Sequence, residues 1–195
     1  MTPQEPAIAD DASVIMRSRH EPEAFSDLFT RHAATIQRYV TRRLGPDAAD
    51  DVVADTFLLA FRQRDSYDPA RADALPWLYG IATNLIGRHR RNEVRLYRAL
   101  ARTGADEVTA PFTDQVDNAV TASMANRRVA AVLARLPAIY RDPLLLLAWG
   151  DLSYEETAIA LGVPKGTVRS RVSRARARLR RMLGDIDPTM AEENQ

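Results

Sequence analysis

The stretch LSYEETAIALGVPKGTVRSRVSRARARL, residues 152–179, decides the fold of this chain. Ser153-Tyr154-Glu155-Glu156 is a capping box, in which the serine hydroxyl and the glutamate three residues later each satisfy a free backbone N–H. The helix it opens runs through Ala158 to Leu161. Gly162-Val163-Pro164 then makes a tight turn, and a second helix opens at Lys165 or Gly166. On that helix Val168, Val172, Ala175, Leu179 and Leu183 form an apolar stripe at spacings of four, three, four and four. Small Ala158 permits a close crossing of the two helices, and Val163 and Val168 pack beneath the turn. This is a helix–turn–helix layout.

The polar faces of the second helix carry Lys165, Thr167, Arg169, Ser170, Arg171, Ser173 and Arg174. A helix about 10–12 Å across fits the major groove of duplex DNA, where its first turns reach base edges. Arginine offers guanine a two-pronged donor, and serine and threonine can donate to bases or phosphates. The arginines that do not reach bases neutralise phosphates and make binding steeply salt-dependent. From Lys165 to Arg181 there are eight basic residues and no acid.

Upstream, helical periodicity continues. Phe25, Leu28, Phe29, His32, Ile36, Tyr39 and Val40 recur at three and four residues. Gly45-Pro46 ends that helix, and Asp47 is a candidate cap for the next, whose stripe is Val52, Val53, Thr56, Phe57, Leu59, Ala60 and Phe61. Residues 65–74 read as an irregular loop. A third helix starts near Leu75-Pro76, turns Trp77, Leu78, Ile81, Ala82, Leu85 and Ile86 inward, and continues past Arg91. A weaker helix begins at Arg17 or Pro22. Period is lost over 103–118, then returns at Val129, Val132, Leu133 and Leu136. Pro137 breaks it, and a short apolar helix spans roughly Arg141 to Trp149. No strand-like alternation of any length appears. The fold class is therefore all-α: two small helical bundles joined by a flexible acidic linker, the C-terminal one a helix–turn–helix domain. The boundaries read as a disordered tail over 1–16, a first domain over 17–100, the linker over 101–123, a second domain over 124–184 and a short tail over 185–195. The arrangement of the two bundles stays open.

A second basic block lies within the first bundle. Arg88 to Arg102 holds six arginines and His89 against a single acid, Glu93. Just before it, Trp77 and Asn84 sit in an apolar helix, with Tyr67 in the preceding loop. Aromatics beside a cationic helix can stack on unpaired bases, and an amide carries both a donor and an acceptor for a base edge. Trp77 fits a core position better than a ligand contact. Asp106, Glu107, Asp114 and Asp117 fall between the two basic blocks, which suggests two polyanion contacts joined by a segment that repels one.

Composition narrows the function class. The chain has 195 residues, 46% hydrophobic and 27% charged, with net charge +1. Its apolar runs, such as Leu144 to Trp149, are too short to cross a bilayer, and no secretory leader is visible in the first 20 residues. Cysteine is absent, which excludes disulfides, thiolate catalysis and cysteine-built zinc sites and fits a reducing, cytoplasmic setting. Three scattered histidines give no metal motif. Neither a metal nor another cofactor is expected, and no membrane or small-molecule partner.

These blocks together resemble the compact extracytoplasmic-function group of bacterial RNA polymerase sigma factors, within the sigma-70 family. The resemblance rests on Asp50 to Phe61, on Trp77-Leu78-Tyr79-Gly80-Ile81-Ala82-Thr83-Asn84 followed by Arg90-Arg91, and on Leu136-Pro137 with Leu152 to Arg171, in that order. It implies a non-enzymatic initiation factor that binds the polymerase core. Asp51, Asp55, Arg62 and Gln63 would face the β′ clamp helices. The second block would open the minus-10 element, Asn84 reading an extruded base, Tyr67 helping to pocket it, Trp77 beside them, and Arg88, His89 and Arg91 following phosphates. Lys165, Thr167, Arg169, Ser170, Arg171, Ser173 and Arg174 would bind the minus-35 element as duplex, while the other side of that domain meets the β flap. The surface an anti-sigma factor would use overlaps those facing polymerase, so the sequence leaves that partner open. Thr83 departs from the family pattern, which more often has arginine there, and Ala54 stands where glutamine is usual.

Two other readings compete. A stand-alone helix–turn–helix regulator would pair its DNA-binding domain with a receiver or sensor domain of alternating strands and helices. A nucleic-acid enzyme would need clustered carboxylates for a metal, or a nucleophile with its base. Asp50, Asp51 and Asp55 form the only tight acidic cluster, and capping or a protein contact accounts for them more simply.

Overall fold

The computed structural model describes residues 10–103 and 127–183, and every regular element among them is helical. Helix α1 (Asp11–Arg17) and a 3-10 turn (Pro22–Phe25) lead into α2 (Ser26–Leu44) and α3 (Pro46–Gln63). Then come α4 (Leu75–Arg88) and α5 (Arg90–Thr103). After residue 126, α6 covers 127–135, followed by α7 (Ala138–Trp149), α8 (Tyr154–Leu161) and α9 (Lys165–Leu183). The all-α class and the helix–turn–helix are both as expected. The linker acids fall outside the described residues, as do both chain ends.

Local chemistry sets the boundaries. Gly45 takes φ 83°, a left-handed stop, and Pro46 starts α3 at its first position, where a missing N–H costs nothing. Asp47 does not cap α3; it lies inside the first turn, where its charge still favours the helix N-terminus. Contrary to the sequence pattern, α4 does not run past Arg91. It stops at Arg88, His89 leaves helical geometry, and α5 starts afresh at Arg90.

The N-terminal expectation also needs correction. A disordered tail through residue 16 gives way, from Asp10 on, to an ordered helix. The Asp10 side chain caps it by accepting from the Ser13 N–H at 2.8 Å, and Val14 and Ile15 are buried in the core. Asp11 then joins three parts of the domain. Its carboxylate accepts from His32 at 2.7 Å, Arg31 at 3.1 Å and the Ala74 N–H at 3.0 Å. Arg19 adds bonds to the carbonyls of Arg64 and Asp65. The loop that leads into α4 is thus held by α1 and its flank.

The core of the first domain follows the apolar stripes. Leu28, Ile36 and Val40 of α2 meet Val52, Phe57 and Ala60 of α3 and Leu78, Ala82 and Ile86 of α4, all buried. Each of the valine, leucine, isoleucine and phenylalanine side chains contributes about 1.5–3 kcal/mol on burial. Phe25 and Phe61 pack edge-on at 5.3 Å. In the second domain α9 lays Val168, Val172 and Ala175 against α7 and α8.

The two domains are not apart. Helix α8 lies along α4, and α7 touches α4 as well. Leu133, Leu145, Leu146 and Leu152 of the second domain belong to the same buried cluster as Tyr39, Tyr79 and Tyr97 of the first. Gly80 allows this approach, because a Cβ there would run into the Ala160 carbonyl. Gly150 does the same against the Tyr79 ring, 3.3 Å from where a Cβ would stand.

Candidate nucleic-acid interface

Helix α9 presents the face the sequence assigned to duplex DNA. The capping box forms as written: Glu156 N–H donates to Ser153 Oγ at 3.2 Å, and Ser153 N–H donates to Glu156 Oε2 at 2.7 Å. Gly162 adopts the left-handed conformation that turns the chain. Lys165, Arg169, Ser170, Ser173 and Arg174 are exposed, while Thr167 and Arg171 are half-buried. Lys165 pairs with Glu155 at 2.6 Å, and this bond holds the Glu155 carboxyl below its ordinary pKa. Ser170 Oγ donates to the Thr167 carbonyl at 2.9 Å. Further along, the Arg178 guanidinium stacks over the Tyr140 ring at 4.3 Å, fixing α9 on α7.

The α4–α5 face is the second cationic surface. Asn84, Arg88 and Arg91 are exposed, and His89 is half-buried. Arg88, His89, Arg91, Arg95, Arg98 and Arg102 line one groove. None of these arginines makes an ion pair among the described residues. The sequence marks the basic block through Arg102 but names phosphate contacts only as far as Arg91; the helical spacing of 91, 95, 98 and 102 was the signal that Arg95, Arg98 and Arg102 extend the same row. Tyr67 is not free to stack on a base. Its ring is buried against Trp77 with centroids 5.0 Å apart, and its hydroxyl donates to the Arg71 carbonyl at 2.6 Å. Burial pushes its pKa up to about 12. Tyr67 therefore shapes the loop from within, and half-buried Trp77 backs it. Thr83 points inward, its hydroxyl 3.3 Å from that of Tyr39.

Along α3, Asp51, Asp55, Arg62 and Gln63 are all exposed. Positions 51, 55, 58 and 62 fall on one face, and Leu58 is 45% exposed in their midst. Phe29 of α2, 48% exposed, stands edge-on to Phe57 nearby. A charged row around exposed apolar side chains suits a protein partner.

A buried charge cluster escaped the sequence entirely. Arg43 donates to Glu93, to Tyr39 at 2.7 Å and to Asp142 at 2.7 Å. Arg141 donates to the other Glu93 oxygen at 2.5 Å and to the Leu133 and Leu136 carbonyls. Arg43, Glu93 and Arg141 are each 1% exposed. Burial opposes the Arg43 charge, but Tyr39, Glu93, Tyr97 and Asp142 around it outweigh burial and raise its pKa. The lone acid in an arginine-rich block was the available hint.

Known proteins fit this geometry. A family model described as sigma-70 region 2 matches residues 28–102, the α2–α5 unit, and one described as sigma-70, region 4 matches 126–179. The chain is 31% identical over 173 residues to the RNA polymerase sigma factor CarQ of Myxococcus xanthus, covering 87% of this chain and 94% of CarQ. It is 37% identical over 169 residues to the ECF RNA polymerase sigma factor SigM of Mycobacterium tuberculosis, covering 84% of this chain and 79% of SigM. The chain belongs to the extracytoplasmic-function RNA polymerase sigma factors. As such a sigma factor it binds RNA polymerase and recognises promoters, and it is not an enzyme. Among solved structures, CnrH in complex with the cytosolic domain of CnrY resembles this sigma factor with TM-score 0.58 and 28% identity, covering 87% of this chain and 94% of CnrH. RpoE of Bartonella quintana in complex with the anti-sigma factor NepR resembles it with TM-score 0.55 and 26% identity, covering 84% and 98%. Among the described residues of this sigma factor, no helix is long and apolar enough to cross a membrane.

Proposed function

We propose that this sigma factor divides promoter recognition between its two cationic faces. Helix α9 takes the minus-35 element as duplex through Lys165, Thr167, Arg169, Ser170, Arg171, Ser173 and Arg174. The α4–α5 face takes the melted minus-10 element, with Asn84 receiving an extruded base and Arg88, His89 and Arg91 following the phosphates. Tyr67 and Trp77 hold the loop and helix that present Asn84. The α3 row of Asp51, Asp55, Arg62 and Gln63 docks on the β′ clamp helices, and the second domain meets the β flap. An anti-sigma factor competes for these faces; the RpoE relative is known in complex with such a factor, NepR.

The observation that carries this reading is the pairing of two exposed, acid-poor cationic helices, one in each region that the family models match. Base capture costs a few kcal/mol of unstacking, which a pocket offsets only on the right sequence. Duplex binding fixes register through groove and phosphate contacts.

Run-off transcription with purified core polymerase tests it. Promoter-dependent product should require this protein. Arg174→Ala should weaken minus-35 use and spare core binding. Asn84→Ala should impair duplex promoters more than a pre-melted bubble; equal impairment on both templates would sink the assignment of base capture.

A further inference from the structure

We infer that α1 and its flank brace the loop of residues 64–74 in its strand-binding form before any DNA arrives, with Asp11 and Arg19 as positioning residues for minus-10 recognition. The inference rests on the proposed capture of an extruded base at Asn84, and it names what keeps the neighbouring loop in register with that amide.

The loop is gripped at both ends from one side. At its entry, one terminal nitrogen of Arg19 donates to the carbonyls of Arg64 at 3.2 Å, Asp65 at 3.0 Å and Tyr67 at 3.5 Å. Arg64 Nε returns a bond to the Ser18 carbonyl at 3.2 Å. At its exit, Asp11 acts twice. Its backbone N–H donates to the Ala72 carbonyl at 3.1 Å, and its carboxylate accepts from the Ala74 N–H at 3.0 Å. All these bonds end on loop backbone, except the one Arg64 itself donates, so they fix the path of the chain rather than any one side chain of the loop. Arg31 and His32 of α2 hold Asp11 in turn.

Between the grips the loop locks itself. The Tyr67 hydroxyl donates to the Arg71 carbonyl at 2.6 Å. Asp68 forms an Asx turn: its carboxylate accepts from the Ala70 N–H at 3.1 Å, and its carbonyl accepts from the Arg71 N–H at 3.1 Å. The same carboxylate stands 3.3 Å from Arg71 Nε. Asp73 accepts from the Leu75 N–H at 2.8 Å, where α4 begins. Yet every residue from Asp68 to Asp73 is exposed. Exposed connecting loops are ordinarily the mobile parts of a fold. One that is tied at each step is ready-made for a ligand.

The tie continues to the proposed base pocket. Tyr67 packs on Trp77 with ring centroids 5.0 Å apart. Asn84 follows seven residues later in α4, on the same face and about 10.5 Å along the axis. Brace, loop and amide therefore hold one geometry. A strand whose base enters at Asn84 meets a loop that gives up little conformational freedom on binding. Without the brace the loop samples other forms, and affinity falls with the fraction of time it is competent.

Amide hydrogen exchange on the free, full chain reads the brace directly. The N–H groups of Ala70, Arg71 and Ala74 should be protected in the wild type. Arg19→Ala and Asp11→Asn should speed their exchange and leave α9 unchanged. Holoenzymes made with each variant then select from single strands randomised over the minus-10 element. Arg19→Ala and Tyr67→Phe should each bind the strand preferred by the wild type about tenfold more weakly, as for a loop competent one-tenth of the time. Both should also flatten the base preference. Arg19→Lys, whose ammonium can reach the same carbonyls, should restore affinity and preference. Core affinity and the salt slope should not move, because the phosphate contacts remain. Val40→Ala truncates a buried α2 side chain and removes no bond to the loop, so it loses stability and should keep the preference. Freely exchanging loop amides in the wild type overturn the inference. So does a base preference that survives in both Arg19→Ala and Tyr67→Phe, or one lost equally in Val40→Ala. A wild type with no base preference at all strikes the base-capture reading instead, and amide exchange still judges the brace.

Discussion

His32 Nε2 lies 2.7 Å from Asp11 Oδ2, and this pair ties α1 to α2 and to the loop that delivers α4. The same carboxylate oxygen accepts from the Ala74 N–H, so one side chain sets where α4 begins. Asp73 also has a ligand atom close by. Every Asp11 oxygen is already engaged by His32, Arg31 or backbone, which makes the cluster a structural staple.

The staple predicts an acid dependence. Burial alone would raise the Asp11 pKa, but the bonds from His32 and the Ala74 N–H outweigh burial and hold it at about 2, against an ordinary 3.8. A depressed carboxylate stabilises the fold above its unfolded pKa, and that stabilisation fades as pH falls from about 3.8 through about 2. It amounts to about 2 kcal/mol. Thermal melts of wild type and Asp11→Asn should differ most at pH 5 and above and converge towards pH 2. A gap that stays constant across that range contradicts the assignment.

Glu93 predicts a larger loss. It is the shared acceptor of two buried arginines. Removing one partner of a buried ion pair costs about 3–5 kcal/mol, because the remaining charge is stranded. Glu93→Ala should lower the denaturation midpoint by a corresponding amount, while Asp55→Ala, at an exposed position of α3, should be near neutral. Equal midpoints for wild type and Glu93→Ala would refute the ledger of charges at the junction.

Much of this was legible in the sequence, for physical reasons. Ser153 and Glu156 interact three residues apart, Gly162 and Gly45 mark chain reversals by their own backbone freedom, and the α2, α3, α4 and α9 stripes follow from helix periodicity. All of these are local. What stayed hidden depends on residues far apart in the chain. Arg43 and Arg141 look like solvated surface arginines until folding brings Glu93 between them, 50 and 48 residues away. Tyr67 looked available to a base because nothing local showed that Trp77 would cover it. Helix α1 was missed because seven residues give a weak period, and its order comes from Asp11 contacts with positions 20 and more residues along the chain.

The arginine row on α5 predicts a salt signature. Arg95 and Arg98 are exposed and unpaired among the described residues, one and two turns beyond Arg91 on the same face. If they follow phosphates, each removes one counterion-release contribution, a slope of about 0.7 on single strand or 0.9 on duplex. Binding of the holoenzyme to promoter DNA, followed by anisotropy across salt concentrations, should therefore lose about 1.4–1.8 from its log–log slope in Arg95→Ala/Arg98→Ala. Base preference should not change, since phosphates carry no sequence. An unchanged slope would mean that the row faces something other than nucleic acid.

Two glycines in the helix–turn–helix separate backbone strain from packing. Neither Gly162 nor Gly166 has any atom within 4 Å of where a Cβ would stand, so alanine fits both spaces. They differ in conformation: Gly162 has φ 61°, and Gly166 lies in the first turn of α9. Alanine at Gly162 must enter the left-handed region, at about 1–2 kcal/mol. Alanine at Gly166 gains helix propensity and loses unfolded-state entropy, a stabilisation of about 0.4–1 kcal/mol. Chemical denaturation of the two variants should therefore move the midpoint in opposite directions. A stabilising Gly162→Ala would show that the turn does not need its left-handed residue, and the placement of α9 would then have to come from the packing of Val168, Val172 and Ala175 and from the Arg178–Tyr140 stack.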